Sequence, residues 1–222
     1  MNVFSVFDSI DGEVNCHGQG HPTTFIRLAG CNLDCIYCDT RYAQSSENSL
    51  TMTPEAVFYE VLSRRPYKAT ITGGEPLMQQ EELQELVALL HSEKIFVTIE
   101  TNGVYPIPKW PGCSWVADWK LKGSGVGKAM KVEHFRELSY SDFIKFVISN
   151  KADYEEAKVI RKRLQDSGCW ARMAMSPIMP GLNPAELIAW MQRDRLNSVL
   201  VNIQIHKLLD LTEDRSDKQI RS

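Results

Sequence analysis

No stretch of the 222-residue chain approaches the ~20 apolar residues needed to cross a bilayer, and Met1-Asn2-Val3-Phe4-Ser5 places no basic segment ahead of an apolar run. A membrane span and a secretory leader are not expected, so the sequence reads as cytoplasmic. Excess charge is missing too: the formal net charge is -3 and the pI is near 6.0. Nothing global therefore draws the chain to nucleic acid or to anionic lipid. It also lacks internal repeats and low-complexity tracts, and its 43% hydrophobic and 24% charged residues are those of an ordinary globular protein. The length suits one domain with a sizeable core, read here as residues 1–222, with the charged 210–222 segment as a frayed tail.

A disulfide framework is equally unexpected. Six cysteines are present, but Cys31, Cys35 and Cys38 crowd into one short segment with no secretion signal. Spaced Cys-x-x-x-Cys-x-x-Cys in a turn-rich stretch, the three thiolates can converge on one small object. Structural zinc wants four ligands, usually recruited as two separated pairs, and only one Cys-x-x-Cys pair stands here. An iron–sulfur cubane has four irons, so three thiolates leave one iron open to a small molecule. Cys16, Cys113 and Cys169 are isolated and read as small, partly buried residues.

Periodicity organises the rest. Residues 23–28 form a β-like run that leads directly into the cysteine loop. Thr53-Pro54-Glu55 supplies a cap, a first-turn proline and an acidic first turn for a helix reaching about residue 63. Further strands are predicted at 68–72, 96–100, 115–118, 142–148, 171–175 and 199–203, with helices over 81–92, 152–165 and 184–191. Alternating strands and helices argue for parallel pairing with right-handed crossovers. A full eight-unit barrel takes ~250 residues, so an α/β fold of about six units, an incomplete barrel open on one side, fits this length better.

In such folds the loops after the strands build the site. The cysteine loop, Gly73-Gly74-Glu75-Pro76, Glu100-Thr101-Asn102-Gly103, Asp118-Trp119-Lys120, Ser176-Pro177 and Gln204-Ile205-His206-Lys207 all follow predicted strands. The two glycines let backbone approach a ligand, and Glu75 can accept from an amine. Gly123-Ser124-Gly125-Val126-Gly127-Lys128 fails the phosphate-loop pattern at Lys122 and Ala129, and reads as a glycine-rich loop over a cofactor.

The three-cysteine spacing resembles the signature of the radical S-adenosylmethionine superfamily, with Tyr37 at the aromatic position beside the adenine and Gly73-Gly74-Glu75-Pro76 similar to the motif for the methionyl amine. Beyond that, the ordered blocks resemble one family, 7-carboxy-7-deazaguanine synthase, over nearly the whole chain. They run from Ser9-Ile10-Asp11-Gly12-Glu13 through Arg27, Cys31 and Cys38-Asp39-Thr40 to Gly73-Gly74-Glu75, Asn102-Gly103, Lys145-Phe146-Val147 and His206-Lys207. The chain departs from the family pattern at Asp11, Val14 and Trp119.

The resemblance implies a radical S-adenosylmethionine fold and a lyase that turns 6-carboxy-5,6,7,8-tetrahydropterin into 7-carboxy-7-deazaguanine with loss of ammonia, starting with hydrogen abstraction at C6. It implies a [4Fe-4S] cluster on Cys31, Cys35 and Cys38, and Mg2+ on Thr40, an oxygen ligand suited to that ion. S-adenosylmethionine would lie against Tyr37, Cys38, Asp39, Gly73, Gly74, Glu75, Asp118, Trp119, Lys120, Ser176, Pro177, Ile178 and Met179. The pterin would meet Ile10, Asp11, Gly12, Glu13, Thr72, Glu100 and His206, with its carboxylate on Arg27, a planar bidentate donor. Glu100 and His206 are the candidates for acid–base work near the substrate. A reductant protein such as a flavodoxin and a homodimer are the implied partners, with no nucleic acid. Two rivals remain: an activator of a glycyl-radical protein, which needs a broad docking surface, and a non-enzymatic zinc-binding module.

Overall fold

The structure, a computed structural model, describes residues 1–209 and residue 211. The tail expected over 210–222 lies, apart from Leu211, outside the described residues. One sheet of nine strands, in the order β3-β1-β2-β4-β5-β6-β7-β8-β9, organises everything else. Its strands are β1 (Asn2–Ile10), β2 (Pro22–Leu28), β3 (Leu50–Thr51), β4 (Lys68–Gly73), β5 (Phe96–Thr101), β6 (Cys113–Trp119), β7 (Phe143–Ile148), β8 (Arg172–Pro177) and β9 (Val199–Val201). From β2 through β9 every neighbouring pair is parallel, whereas β1 is antiparallel to both β2 and β3. The edges β3 and β9 do not meet. The sheet is thus an incomplete barrel, as expected.

Parallel strands are covered on both faces and so run nearly continuously apolar; all of β7 except Val147 is buried. Four α-helices cover the outside: α1 (Pro54–Ser63), α2 (Gln80–Ser92), α3 (Lys151–Asp166) and α4 (Pro184–Arg193). Three of the four are opened by a side-chain cap. The Thr53 hydroxyl accepts from the Ala56 amide at 3.2 Å, Asn150 Oδ1 from Asp153 at 3.0 Å, and Asn183 Oδ1 from Ala185 at 2.9 Å. On α2 the inward stripe of Leu83, Leu86, Val87 and Leu90 is fully buried, worth about 1.5–3 kcal/mol per side chain before entropy.

Two crossovers depart from the strand–helix alternation. Between β5 and β6 no α-helix forms, because Pro106, Pro108 and Pro111 interrupt the segment. Between β6 and β7 the chain instead makes 3-10 turns at Lys122–Ser124, Gly127–Ala129 and Val132–Phe135, where Gly123, Gly125 and Gly127 disfavour a longer helix. The glycine-rich loop packs on the cysteine loop: the Ile36 amide donates to the Ser124 carbonyl at 3.0 Å. A final single turn, α5 (Ile205–Leu208), follows β9 and folds back over the strand ends.

Candidate active site

At the C-terminal ends of the parallel strands lies a cavity of about 780 Å³. The cysteine loop forms one wall. It is anchored by the Gly30 and Cys31 amides donating to the Ala43 and Gln44 carbonyls at 2.9 and 3.1 Å, while the Arg41 guanidinium reaches the Cys35 and Ile36 carbonyls at 3.3 and 3.2 Å. Cys31, Cys35 and Cys38 are free thiols, and all three line the cavity. Burial pushes the Cys31 and Cys35 thiols up, and each is raised further by its neighbours' negative charge.

Among the described residues no three Cys, His, Asp or Glu side chains gather closely enough to share a single metal ion. A tetrahedral zinc site needs that gathering. A cubane cluster does not, because each thiolate meets its own iron. Three free thiols around one cavity fit the cluster.

Behind this wall, two strand-end loops are knotted by Glu75. Its carboxylate is fully buried and accepts from the Leu77 amide (2.9 Å), the Thr101 hydroxyl (2.7 Å) and the Asn102 amide (2.7 Å). Burial raises its pKa against the pull of those donors. Asn102, so fixed, directs its side-chain amide to Asn32 Oδ1 at 2.8 Å and to the Cys31 sulfur at 3.8 Å. Gly74 is required because a Cβ there would lie 1.9 Å from the Gly30 carbonyl oxygen.

The cavity is also lined by charged side chains. Sheet register places Arg27 beside Thr72 and Asp118 beside Lys145. The Arg27 guanidinium lies 5.7 and 5.8 Å from the Phe7 and Tyr42 ring centroids. The Thr72 hydroxyl donates to Glu100 at 2.8 Å. Burial, and then the nearby Glu13 carboxylate, push the Glu100 pKa up to about 7. The Lys145 ammonium pairs with Glu13 and also lies 3.2 Å from Asp118, which holds Lys120 at 2.6 Å. His206 packs over Gly12, where an added Cβ would strike its ring, and burial lowers its pKa toward the neutral imidazole. Lys207 reaches Asp39 at 2.5 Å, tying α5 to the cysteine loop. Thr40 lines the cavity with its hydroxyl 3.4 Å from Asp39 Oδ1, so two hard oxygen ligands adjoin there and fit Mg2+.

Of the residues singled out from sequence, all but Asp11, Glu75 and Trp119 line this cavity. The Asp11 side chain is buried with Lys68 and with the Thr70 hydroxyl at 2.8 Å. Alternation along β6 sends Asp118 inward and Trp119 outward, against Phe135 at 5.1 Å between centroids. Sequence reasoning placed Asn102 and Gln204 in site loops and Lys145 in a family block without giving them a role, and it missed Phe7 and Tyr42; all five line the cavity. A lysine inside the apolar run Phe-Ile-Lys-Phe-Val-Ile was the available signal, since an unpaired cation there is costly.

The sequence profile of the Radical SAM superfamily matches residues 25–193. The chain therefore belongs to that superfamily, whose members use a [4Fe-4S] cluster and S-adenosylmethionine. Its relatives define the family more narrowly. It is 34% identical to a 7-carboxy-7-deazaguanine synthase of Clostridium acetobutylicum over 93% of this chain and 95% of that one. A 7-carboxy-7-deazaguanine synthase of Methanospirillum hungatei is 33% identical, over 95% and 86% respectively. The chain is a member of the 7-carboxy-7-deazaguanine synthase family. The crystal structure of QueE from Escherichia coli shares the fold, with a TM-score of 0.73 at 21% identity over 91% of this chain and 92% of that one. Among the described residues, no helix is long and apolar enough to cross a membrane.

Proposed function

We propose that the protein converts 6-carboxy-5,6,7,8-tetrahydropterin into 7-carboxy-7-deazaguanine with release of ammonia, in queuosine or other 7-deazapurine synthesis. The observation that carries this reading is a single cavity lined by three free cysteines together with Arg27, Glu13 and Glu100. A cavity of about 780 Å³ suits a small molecule, where an activator of a partner protein would need an open docking face. When bound, the cluster and S-adenosylmethionine supply hydrogen-atom abstraction from carbon, the step that no side chain here can perform.

The chain's own residues bind and orient. Cys31, Cys35 and Cys38 hold the cluster, and Asn102 donates to the Cys31 sulfur. Tyr37, the Gly73-Gly74 backbone, Asp118, Lys120 and the segment Ser176, Pro177, Ile178, Met179 receive the cofactor. Arg27 takes the substrate carboxylate as a bidentate donor. Glu13 and the backbone of Ile10 and Gly12 accept the pterin's guanidine-like edge, while Asp11 and Lys68 pin that loop from below. Thr40, with Asp39 beside it, offers oxygens to Mg2+ at the substrate carboxylate. Glu100, with its pKa raised to about 7, holds or releases a proton near neutrality, the range that a departing amine requires. His206 and Leu211 also line the cavity and help exclude water.

The same reading takes a flavodoxin-like protein as electron donor, a homodimer as the assembly and the cytoplasm as the location. The test is anaerobic: reconstituted, reduced protein is given S-adenosylmethionine, Mg2+ and the pterin, and products are identified by mass spectrometry. 7-Carboxy-7-deazaguanine is expected. Deoxyadenosine without any deazaguanine would reject the reaction while leaving the superfamily membership intact.

A further inference from the structure

The floor of the cavity contains one cation that serves two walls. Lys145 is buried on β7, and its ammonium pairs with Glu13 Oε2 and lies 3.2 Å from Asp118 Oδ1. Each carboxylate also has a private partner on its other oxygen. Glu13 Oε1 accepts from the Gln204 amide, and Asp118 Oδ2 accepts from Lys120 at 2.6 Å. The two acids face different parts of the cavity. Asp118 and Lys120 stand beside the cysteine loop, with the Lys120 ammonium 5.9 Å from the centroid of the Tyr37 ring. Glu13 lies instead with Gly12, Gln204 and His206.

We propose that Lys145 is a positioning residue that serves as the common counter-ion of Glu13 and Asp118, so that the charge available to the substrate subsite and to the cofactor subsite is set by one shared ammonium group. This rests on the assignment of Glu13 to the pterin and of Asp118 to S-adenosylmethionine. The physical reason is proximity without water: buried charges are costly unless paired, and Lys145 is divided between Asp118, which also has Lys120, and Glu13, whose other partner is only the neutral Gln204 amide. A partly compensated carboxylate is a strong acceptor for ligand N–H and O–H donors. If Glu13 loses its charge, Lys145 is no longer divided and pairs with Asp118 alone, so the two ammonium groups beside Asp118 neutralise it more fully and it binds ligand donors less well. The consequence is specific: a substitution on the substrate side must be felt by the cofactor, although Glu13 does not touch it.

The experiment measures the affinity of S-adenosylmethionine itself for cluster-loaded protein by anaerobic calorimetry, alongside iron content and thermal melting. Glu13→Gln is expected to weaken cofactor binding about fivefold or more. The same substitution made in a Lys145→Met background is expected to have no effect, because the shared ion is gone. Wild-type cofactor affinity in Glu13→Gln would overturn the proposal, and so would an equal loss in both backgrounds. Should Lys145→Met fail to load its cluster, Lys145→Arg replaces it. A retained cation must then preserve the Glu13→Gln effect, and its loss would count against sharing. Binding of the pterin is scored separately. Absence of pterin binding by the wild-type protein would reject the assigned substrate, while the Glu13→Gln result on the cofactor would still decide whether the ion is shared.

Discussion

Replacing Gly74 by alanine tests whether the cysteine loop is held in place by backbone contact with the end of β4. The added methyl would sit 1.9 Å from the Gly30 carbonyl oxygen, 2.4 Å from its carbon and 3.0 Å from the Ala43 oxygen. All three are backbone atoms, so no side chain can swing aside. Ordinary contact requires the loops to part by roughly 1.5 Å. That movement strains the Gly74 amide bond to Leu28 (2.9 Å), the Glu75 amide bond to Gly30 (2.7 Å) and the Gly30 amide bond to Ala43 (2.9 Å). Overpacking of this kind costs about 1–3 kcal/mol, which for a domain of this size lowers the melting temperature by about 2–12 °C. Cys31 follows Gly30 directly, so its sulfur moves with the loop. A displacement of about 1 Å in a reactive site lowers turnover on the order of a hundredfold. The assay is iron and sulfide content after reconstitution, melting temperature and product formation, with Gly181→Ala as comparison because its methyl meets only the Ile178 oxygen at 3.4 Å. If Gly74→Ala loads iron, melts and turns over like wild type, the argument from close approach is wrong.

Arg27→Ala should leave cluster content unchanged and raise the apparent KM for the pterin by about ten- to a hundredfold, the loss of a charge-assisted bidentate contact; an unchanged KM removes Arg27 from the carboxylate. Burial pushes the Glu100 pKa up to about 7, above its ordinary value of 4.5, so the native state binds the extra proton. Its contribution to stability is present in full below about pH 4.5 and is lost as the pH rises to about 7. Glu100→Gln should flatten that part of the melting-temperature profile, and an identical slope in the variant would refute the shift. Asn102→Ala removes the donor 3.8 Å from the Cys31 sulfur and should move the cluster's reduction potential to a more negative value in an EPR-monitored titration. No change in potential would make that contact irrelevant to the cluster.

Much of the architecture was readable because local chemistry and tertiary structure agree. Thr53 and Pro54 start α1, the Leu83 to Leu90 stripe faces inward on α2, and the site loops follow parallel strands. β1 escaped the reading because its burial does not alternate: a register shift between Val3 and Ser5 breaks the period, and its antiparallel pairing lies outside the strand–helix rhythm. Glu75 could be read as a ligand from its motif, but its orientation is decided by donors from Thr101 and Asn102, distant in sequence. Lys145 carried a signal in its apolar strand, yet its role depends on Asp118 being its register partner and on Glu13 arriving from the loop after β1. Such meetings belong to the fold, and no local window contains them.

The central claim is that one cavity holds the substrate carbon within reach of the group bound by Cys31, Cys35 and Cys38. Pterin carrying deuterium at C6, incubated with reduced protein and unlabelled S-adenosylmethionine, tests it most directly. The account predicts deuterium at the 5′ carbon of recovered deoxyadenosine or S-adenosylmethionine, together with formation of 7-carboxy-7-deazaguanine. Deoxyadenosine formed at the same rate with no deuterium would contradict it, because the cofactor would then be reacting without reaching the substrate.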